Sequence, residues 1–517
     1  MVRVVTAAEA AARDHAAIDA GIASRILMQR AGAAAAAVIH DRLAADLAAG
    51  GALVVTGPGN NGGDGWIVAR ELAARGVAVH VLDASPSRTA DARAARERAL
   101  SAVTIATEPA GERVVIDALL GTGARPGLSG PIAAAVDRIA DCRRQGAVIV
   151  ALDVPTGIDA TTGAIDGGVM ADLTVSFGTV KRGHLLSRGT CGVVVVVDIG
   201  LGAHADIPDG APALVDAAFV ASHVPPIAAE SHKGTRRRVA VVGGARGMAG
   251  AAVLAGKAAV RSGAGMVRLV VEAPSLAPAQ VALPEATAST WPAPSDGIEE
   301  SIARWAHAVL VGPGLGRSDA ALDVLMTLLD VWHGPTVLDA DAINHFAGDI
   351  DGLASRLGGR PALITPHASE MARLVGTSTD DVIASRFEIG VEVARALGAT
   401  VLLKGVPTIL FAPDGRRLVS AAGTPALAAA GSGDVLAGIA LTLLAQSRDP
   451  FAAAACAAWV HGRAAEIANA GRPVRGVTLD DVLAGLALAW QTGTEASEPV
   501  LAYLPRPGDA PPAGQAS

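Results

Sequence analysis

Runs of continuous apolar, β-branched residues recur along the chain, with room for a helix between them. In the first part they fall at Ala52–Thr56, Val77–Leu82, Val114–Ile116, Val148–Leu152, Leu173–Phe177 and Val193–Ile199. Helix-like stretches such as Trp66–Arg75 and Ile132–Arg144 lie between most of them. Strands that are apolar on both faces and alternate with helices predict a parallel sheet covered on both sides. The stretch Gly200–Glu230 breaks the pattern with Pro208, Pro212, Pro225 and Pro226, as a connection does. The alternation restarts at Arg238–Val242 and continues through Met266–Val271, Ala308–Val311, Thr336–Leu338, Ala362–Ile364, Thr400–Leu403 and Thr408–Phe411. The expectation is α/β, with two domains over 1–222 and 223–495, and an unordered Pro-, Gly- and Ala-rich tail over 496–517.

Composition narrows the class. The chain has 517 residues, more than one hydrophobic core usually serves. Hydrophobic residues make up 51% and charged residues 18%, which suits folded cores and not disorder. The formal charge of −8 argues against a nucleic-acid partner. The basic run Lys233, Arg236, Arg237, Arg238 reads as an exposed entry to a strand. Cys142, Cys191 and Cys456 lie far apart, without zinc or disulfide spacing. The N-terminus has no apolar signal core and no run reaches spanning length, so a cytoplasmic protein without a membrane partner is expected.

Candidate chemistry sits after the strands. The segment VVTGPGNNGGDGWIVAR carries a Gly-rich turn from a buried strand into a helix, and such a turn brings backbone amides close to a phosphate. Gly57, Gly59 and Gly62 satisfy GxGxxG, with Asp83 21 residues beyond Gly62, the spacing of a dinucleotide fingerprint. The same loop carries Asn60, Asn61 and Asp64, oxygen donors that a pyrophosphate turn does not need. Asp117 in VVIDALLGTG and Asp153 in VIVALDVPTGID end two further strands. An acid there is often only a turn former, yet ligands in open α/β sheets bind beyond these strand ends.

These three motifs, in order over essentially residues 1–205, resemble the NAD(P)H-hydrate epimerase family, the YjeF N-terminal domain, and imply a Rossmann-like three-layer sandwich. The resemblance implies that Asn60, Asn61, Gly62, Gly63 and Asp64 hold the hydrated nucleotide. It adds the turn Gly121, Thr122, Gly123, Ala124, Arg125, Pro126 and Gly127. Asn61, Asp117 and Thr156 would coordinate K+, and Asp153 would act at the nicotinamide ring. Thr156 stands where the family commonly has Ser, which keeps the hydroxyl.

In the second half Gly250, Gly256 and Lys257 do not make a P-loop, since five residues separate the glycines and Ala258 follows. The run AAAGSGDVLAGIA places Gly431, Ser432 and Gly433 before an apolar helix. Its amides would face a transferring phosphoryl group, and Asp434 in the first turn could take a proton from an attacking hydroxyl. With GMAGAAVLA, GPGLG, TPHASEM and KGVPT in order over about Glu230–Ala489, this half resembles the ribokinase-like fold, in its ADP-dependent NAD(P)H-hydrate dehydratase branch. The resemblance implies that Lys404, Gly405, Val406, Pro407, Thr408 and Gly433 bind the adenine nucleotide. Ala251, Gly314, His367 and Asp434 would contact the hydrated dinucleotide. Mg2+ would screen the phosphates, with ADP as co-substrate.

The two halves together imply a repair enzyme that epimerises hydrated NADH and NADPH and dehydrates the S-form with ADP, giving NAD(P)H, AMP and phosphate, and a homo-oligomer is expected. Three alternatives stand beside it. An NAD-dependent oxidoreductase would explain the GxGxxG and Asp83 alone. A small-molecule kinase of ribokinase type would explain the second half alone. A ligand-sensing module would bind nucleotide without turnover.

Overall fold

The structure is a computed structural model and describes residues 1–123, 127–208, 210–291, 302–492 and 500–507. The chain divides into two compact units. One comprises Val2–Ala213 with Glu495–Pro507, and the other runs essentially from Leu214 to Thr494.

The first unit is built on an eight-stranded sheet. Its strands lie side by side in the order Thr104–Ala106, Val79–Asp83, Ala52–Thr56, Val114–Ala118, Val148–Leu152, Leu173–Phe177, Val193–Val197 and Val500–Leu504. All pairings are parallel except the last. The strands are buried on both faces because each face carries its own apolar layer. Trp66, Ile67 and Leu72 of one helix join Ala31 and Ile39 of another on one side. Val136 and Ile139 cover the other side.

The helix after the first of the central strands starts at Asn60, not near Trp66, so Gly62, Gly63 and Gly65 lie inside it. Each interior glycine costs a helix about 1 kcal/mol relative to alanine. Close approach is the reason they are there. A Cβ on Gly62 would overlap the Gly57 carbonyl, and one on Gly65 would overlap the Ala118 side chain. The helix N-terminus is thereby pressed onto the strand ends where the acids sit.

The second unit holds a ten-stranded sheet. From one edge its order is Thr287–Trp291, Met266–Glu272, Arg238–Gly243, Ala308–Val311, Thr336–Leu338, Ala362–Ile364, Thr400–Leu403, Thr408–Phe411, Arg417–Ser420 and Ala213–Leu214. It is parallel as far as Thr400–Leu403, and two antiparallel pairings follow. Helices Ala249–Arg261, Ser432–Ser447, Pro450–Asn469 and Leu479–Ala489 pack together through small residues. Gly438, for example, leaves room for the Ala255 carbonyl.

Two expectations change. The stretch expected as a bare connection contains the strand Ala213–Leu214 and the helix Ala217–His223, and the first unit closes at Ala213, short of 222. The tail is also not uniformly unordered. Residues 500–504 form an edge strand on Val193–Val197, and Tyr503 sits under the Arg42 guanidinium at 4.7 Å. Averaging over a Pro- and Gly-rich segment hid five residues of strand-forming VLAYL. The tail positions 496–499 and 508–517 lie outside the described residues. Among the described residues no helix is long and apolar enough to cross a membrane.

An open edge on five consecutive valines is an aggregation liability. Ending the chain at residue 492 should therefore destabilise the first unit by about 1 kcal/mol or more, about 2–4 °C in melting temperature, and promote self-association. Scanning calorimetry with light scattering checks this. An unchanged first transition and a monodisperse sample would show that the strand contributes nothing.

Candidate functional site

The carboxyl ends of the first sheet open into a cavity of about 510 Å³. Of the residues expected there, Asn60, Asn61, Asp64, Gly121, Thr122, Gly123 and Asp153 line it. Gly62 and Gly63 lie beneath, packed against Gly57 and Met28, and Gly127 is exposed away from the lining. Ala124, Arg125 and Pro126 lie outside the described residues. Asp83 does not reach the cavity. Its carboxylate accepts from Arg96 at 3.0 Å and from the Thr56 hydroxyl at 3.3 Å, so it is not offered to a ribose.

Asp117 is fully buried at its strand end. One carboxylate oxygen accepts from the Thr156 hydroxyl at 2.8 Å and the Leu119 amide at 3.1 Å; the other accepts from the Thr156 amide at 2.8 Å. Burial pushes its carboxyl up to about 6 against these hydrogen bonds. The Thr156 hydroxyl also accepts from the Leu120 amide at 3.1 Å. Gly121, one residue on, faces the Asn61 side chain, with 3.3 Å between a built Cβ and Asn61 Cβ. Both polar atoms of the Asn61 amide are buried without a hydrogen-bond partner among the described residues. A buried amide left this way costs about 1–3 kcal/mol, so it points to a group that completes it.

The second feature is an ion pair that sequence reading did not single out. Lys181, 2% exposed in its side chain, pairs with the Asp153 carboxylate. Its Nζ also donates to the Ser176 hydroxyl at 3.0 Å and the Phe177 carbonyl at 3.1 Å. Asp153 has a positive φ of 62°, a conformation that costs a non-glycine residue on the order of 1–3 kcal/mol. His184 braces it. Its Nε2 donates to the Asp153 carbonyl at 2.8 Å, while its Nδ1 accepts from the Lys181 amide at 3.2 Å. Burial and then the Lys181 charge push the imidazole down to about 3, so it is neutral in this role. The segment FGTVKRGH has no strong periodicity. Its only legible signal was a Lys and a His just past a buried strand.

In the second unit, three strand ends and the N-terminus of the helix Ser432–Ser447 converge. Lys404 donates to Asp339 at 2.7 Å and lies 3.6 Å from Glu370. Asp339, 1% exposed, also accepts from Thr365 at 2.8 Å. Burial opposes the Lys404 charge, but the carboxylates of Asp339 and Glu370 outweigh it and raise its ammonium above the ordinary range. The helix Ser432–Ser447 points its first turn at this pair. A Cβ on Gly433 would be 3.3 Å from Lys404 Nζ. Gly431 provides the positive φ, 91°, that turns the chain into the helix. Burial, then the Asp339 carboxylate, push the Asp434 carboxyl up to about 7, with Lys404 opposing.

His367 turns out to cap a helix. Its Nδ1 accepts from the Ser369 and Glu370 amides at 3.1 and 3.2 Å, and Glu370 accepts from the His367 amide at 2.8 Å. His367 and Lys404 are also bridged along the backbone. Ala251 and Gly314 are brought together, with 3.0 Å between Ala251 Cβ and a Cβ built on Gly314. In the Lys404–Thr408 loop, Thr408 donates to the Gly405 carbonyl at 3.0 Å and Val406 is 69% exposed. Asp339 and Glu370 lie in LDADAIN and TPHASEM, but only the fold shows that they meet on Lys404.

The similarities of the chain follow the same division. A family model described as YjeF-related protein N-terminus matches residues 24–183, and one described as NAD(P)H-hydrate dehydratase matches 239–486. A bifunctional NAD(P)H-hydrate repair enzyme of Salinibacter ruber is 37% identical over 522 residues, covering 93% of this chain and 94% of its own. One from Escherichia coli is 34% identical over 445 residues, 84% of each chain. Among solved structures, an ADP/ATP-dependent NAD(P)H-hydrate dehydratase from Bacillus subtilis, co-crystallised with ATP and Mg2+, aligns at 28% identity with a TM-score of 0.47. It covers 54% of this chain and 98% of that one.

The raised Asp434 has a consequence for stability. Between an unfolded value of 3.8 and a folded value of about 7, the folded chain keeps a proton that the unfolded chain loses. Its contribution is therefore greatest at low pH and is lost as pH rises through 7. Asp434→Asn removes the penalised charge. It should melt several degrees above the parent at pH 8, with the gain shrinking toward pH 5. Paired melting curves check this, and a gain independent of pH would show that the charge is not penalised.

Proposed function

We propose a division of labour among these residues from one premise: the chain belongs to the bifunctional NAD(P)H-hydrate repair enzymes. It epimerises the R- and S-forms of hydrated NAD(P)H and dehydrates the S-form. Water added across the nicotinamide C5=C6 bond leaves a hydroxyl on C6 with two configurations. A chiral dehydratase pocket takes one of them, and the epimerase feeds it the other.

In the second unit the substrate hydroxyl would approach the first turn of Ser432–Ser447. Asp434 takes its proton as oxygen attacks the β-phosphorus of ADP, and AMP leaves. The phosphate ester then departs from C6 with its bonding electrons as C5 loses a proton, which restores the C5=C6 bond. The amides at Gly431–Gly433 and the helix field stabilise the transferring phosphoryl. Lys404, held between Asp339 and Glu370, carries positive charge to the nucleotide side, with Gly405, Val406, Pro407 and Thr408 beside it. Ala251, Gly314 and His367 line the dinucleotide side. Mg2+ would arrive on the phosphates and need only one or two carboxylates; Asp339 and Glu370 are the nearest to Lys404.

The observation that carries this half is Asp434 in the helix N-terminal turn facing the Lys404–Asp339 pair. Incubating both epimers of hydrated NADH with ADP, and following the return of reduced-nicotinamide absorbance, tests the whole reading. Asp434→Asn should lower dehydration by about two orders of magnitude or more and leave epimerisation intact. Because the base must be ionised, kcat/KM for dehydration should rise through about pH 7. Near-parental dehydration by the variant would remove Asp434 from the role.

In the first unit, Asn60–Asp64 and Gly121–Gly127 would hold the nucleotide, with Asp153 at the ring. Asn61, Asp117 and Thr156 fit K+. Their donors are oxygens, one formal charge is present, and the Asn61 amide is buried and otherwise unmet. The ion would tie the Asn60–Asp64 turn to the nucleotide phosphates. Asp117→Ala should slow epimerisation by about tenfold or more with dehydration unchanged. Parental epimerisation should be faster in K+ than in tetramethylammonium. Equal rates in both ions, together with a normal Asp117→Ala epimerase, would reduce Asp117 to a turn residue.

A further inference from the structure

The epimerase cavity holds more carboxylates than its lysine can serve. Asp14, Asp64, Asp153 and Lys181 all line it. Lys181 has three protons to donate and spends them on Asp153, Ser176 and Phe177. Asp64 is 8% exposed and lies in the second turn of the helix from Asn60. Among the described residues its side chain takes no hydrogen bond from the protein. An ionised carboxylate placed so would be a buried charge without a partner, close to a second carboxylate. The neutral acid is the cheaper state. Burial first, then the charges of Asp153 and Asp14, with Lys181 opposing, push the Asp64 carboxyl well above its ordinary range. Asp153, by contrast, has its charge met by Lys181. One cavity thus has a carboxyl pushed toward its neutral form and a second one paired with an ammonium, on two different elements of its wall, the division that acid–base catalysis uses.

We propose that Asp64 is the general acid of the epimerase and Asp153 its general base, a role for Asp64 that rests on the epimerase reading and goes beyond holding the nucleotide. The reacting carbon, C6, bears a hydroxyl and is bonded to the ring nitrogen N1. Asp64 gives its proton to that hydroxyl. The C6–O bond breaks with its electron pair going to oxygen, water leaves, and the N1 lone pair forms an N1=C6 double bond. Water then adds to C6 from the other face, gives a proton to the Asp153 carboxylate, and the π electrons return to N1. No redox partner is needed. The site ends with Asp64 ionised and Asp153 protonated, the state that runs the opposite conversion, and proton exchange with solvent through the cavity resets it. Two distinct groups are needed because inversion separates the departing water from the entering one.

The test uses the full chain, one resolved epimer of hydrated NADPH, and H2(18)O. The parent should place 18O on C6 at the rate of epimerisation. Asp64→Asn should epimerise at least about a hundredfold more slowly. Its affinity for the hydrated nucleotide should stay within a few-fold of the parent, because Asn matches the neutral acid in shape and charge. Asp64→Glu should recover part of the rate. The parent's rate should fall at alkaline pH as the acid is lost, and the residual activity of Asp64→Asn should lack that fall. Epimerisation by Asp64→Asn within a few-fold of the parent would overturn the proposal, as would parental turnover without label on C6. If Asp64→Asn does not fold, Asp64→Glu with an unshifted alkaline limb overturns it equally. A parent that does not epimerise at all would instead overturn the epimerase reading.

Discussion

A buried lysine paired to a strand-end aspartate organises each unit. Lys181–Asp153 and Lys404–Asp339 are both nearly solvent-free in the lysine or the acid. Breaking such a pair by removing one partner typically costs about 3–5 kcal/mol, because a naked charge is left behind. The same pairs fix the state of their neighbours. Burial first, and then the carboxylates around each lysine beyond the one it pairs with, push the carboxyls of Asp64 in one unit and Asp434 in the other above the ordinary range. The proton transfers proposed for both sites draw on this burial and on the shortage of positive charge beside it.

The backbone enforces the arrangement by close approach. Gly62 and Gly65 let a helix start against the strand ends, and Gly438 lets the helix from Ser432 lie on its neighbour. In both units a helix N-terminus is brought to the same layer as the buried lysine. A longer side chain at these positions would lift the helix and with it the amides and the acid carried on its first turns. Helix propensity is given up for placement, which explains why glycines stand inside a helix where alanine would be more stable alone.

Much of this was legible in the sequence, and the physical reason is locality. Strands buried on both faces announce themselves as unbroken aliphatic runs, and Asp117 and Asp153 stand at the ends of two of them, while Asp434's glycine-led turn stands directly before an apolar helix. What was missed depends on distance along the chain or on a competing rule. Gly62, Gly63 and Gly65 read as a loop because glycine disfavours helices, and only tertiary packing overrides that. Lys181 and His184 sit in an aperiodic segment whose meaning appears only when the strand Leu173–Phe177 lies beside Val148–Leu152. Glu370 stands within a recognised motif and Asp339 just past the aliphatic run Thr336–Leu338, yet their joint hold on Lys404 joins three strand ends. Val500–Leu504 was lost in the average of a Pro-rich tail, because an edge strand needs only five suitable residues and a partner.

The cap at His367 illustrates how position can outweigh chemistry. An imidazole beside a nucleotide site invites a proton-transfer role, but its Nδ1 is committed to two helix amides, and burial lowers its affinity for a proton. With Nδ1 accepting, the neutral ring carries its proton on Nε2, which lies 3.4 Å from a Glu370 carboxylate oxygen. The task of His367 here is mechanical. By capping Ala368–Val375 it fixes Glu370, and Glu370 in turn flanks Lys404. The residue thus bears on the proposed phosphoryl transfer through the lysine's position, while the proton is assigned in that proposal to Asp434, whose carboxyl burial pushes up to about 7.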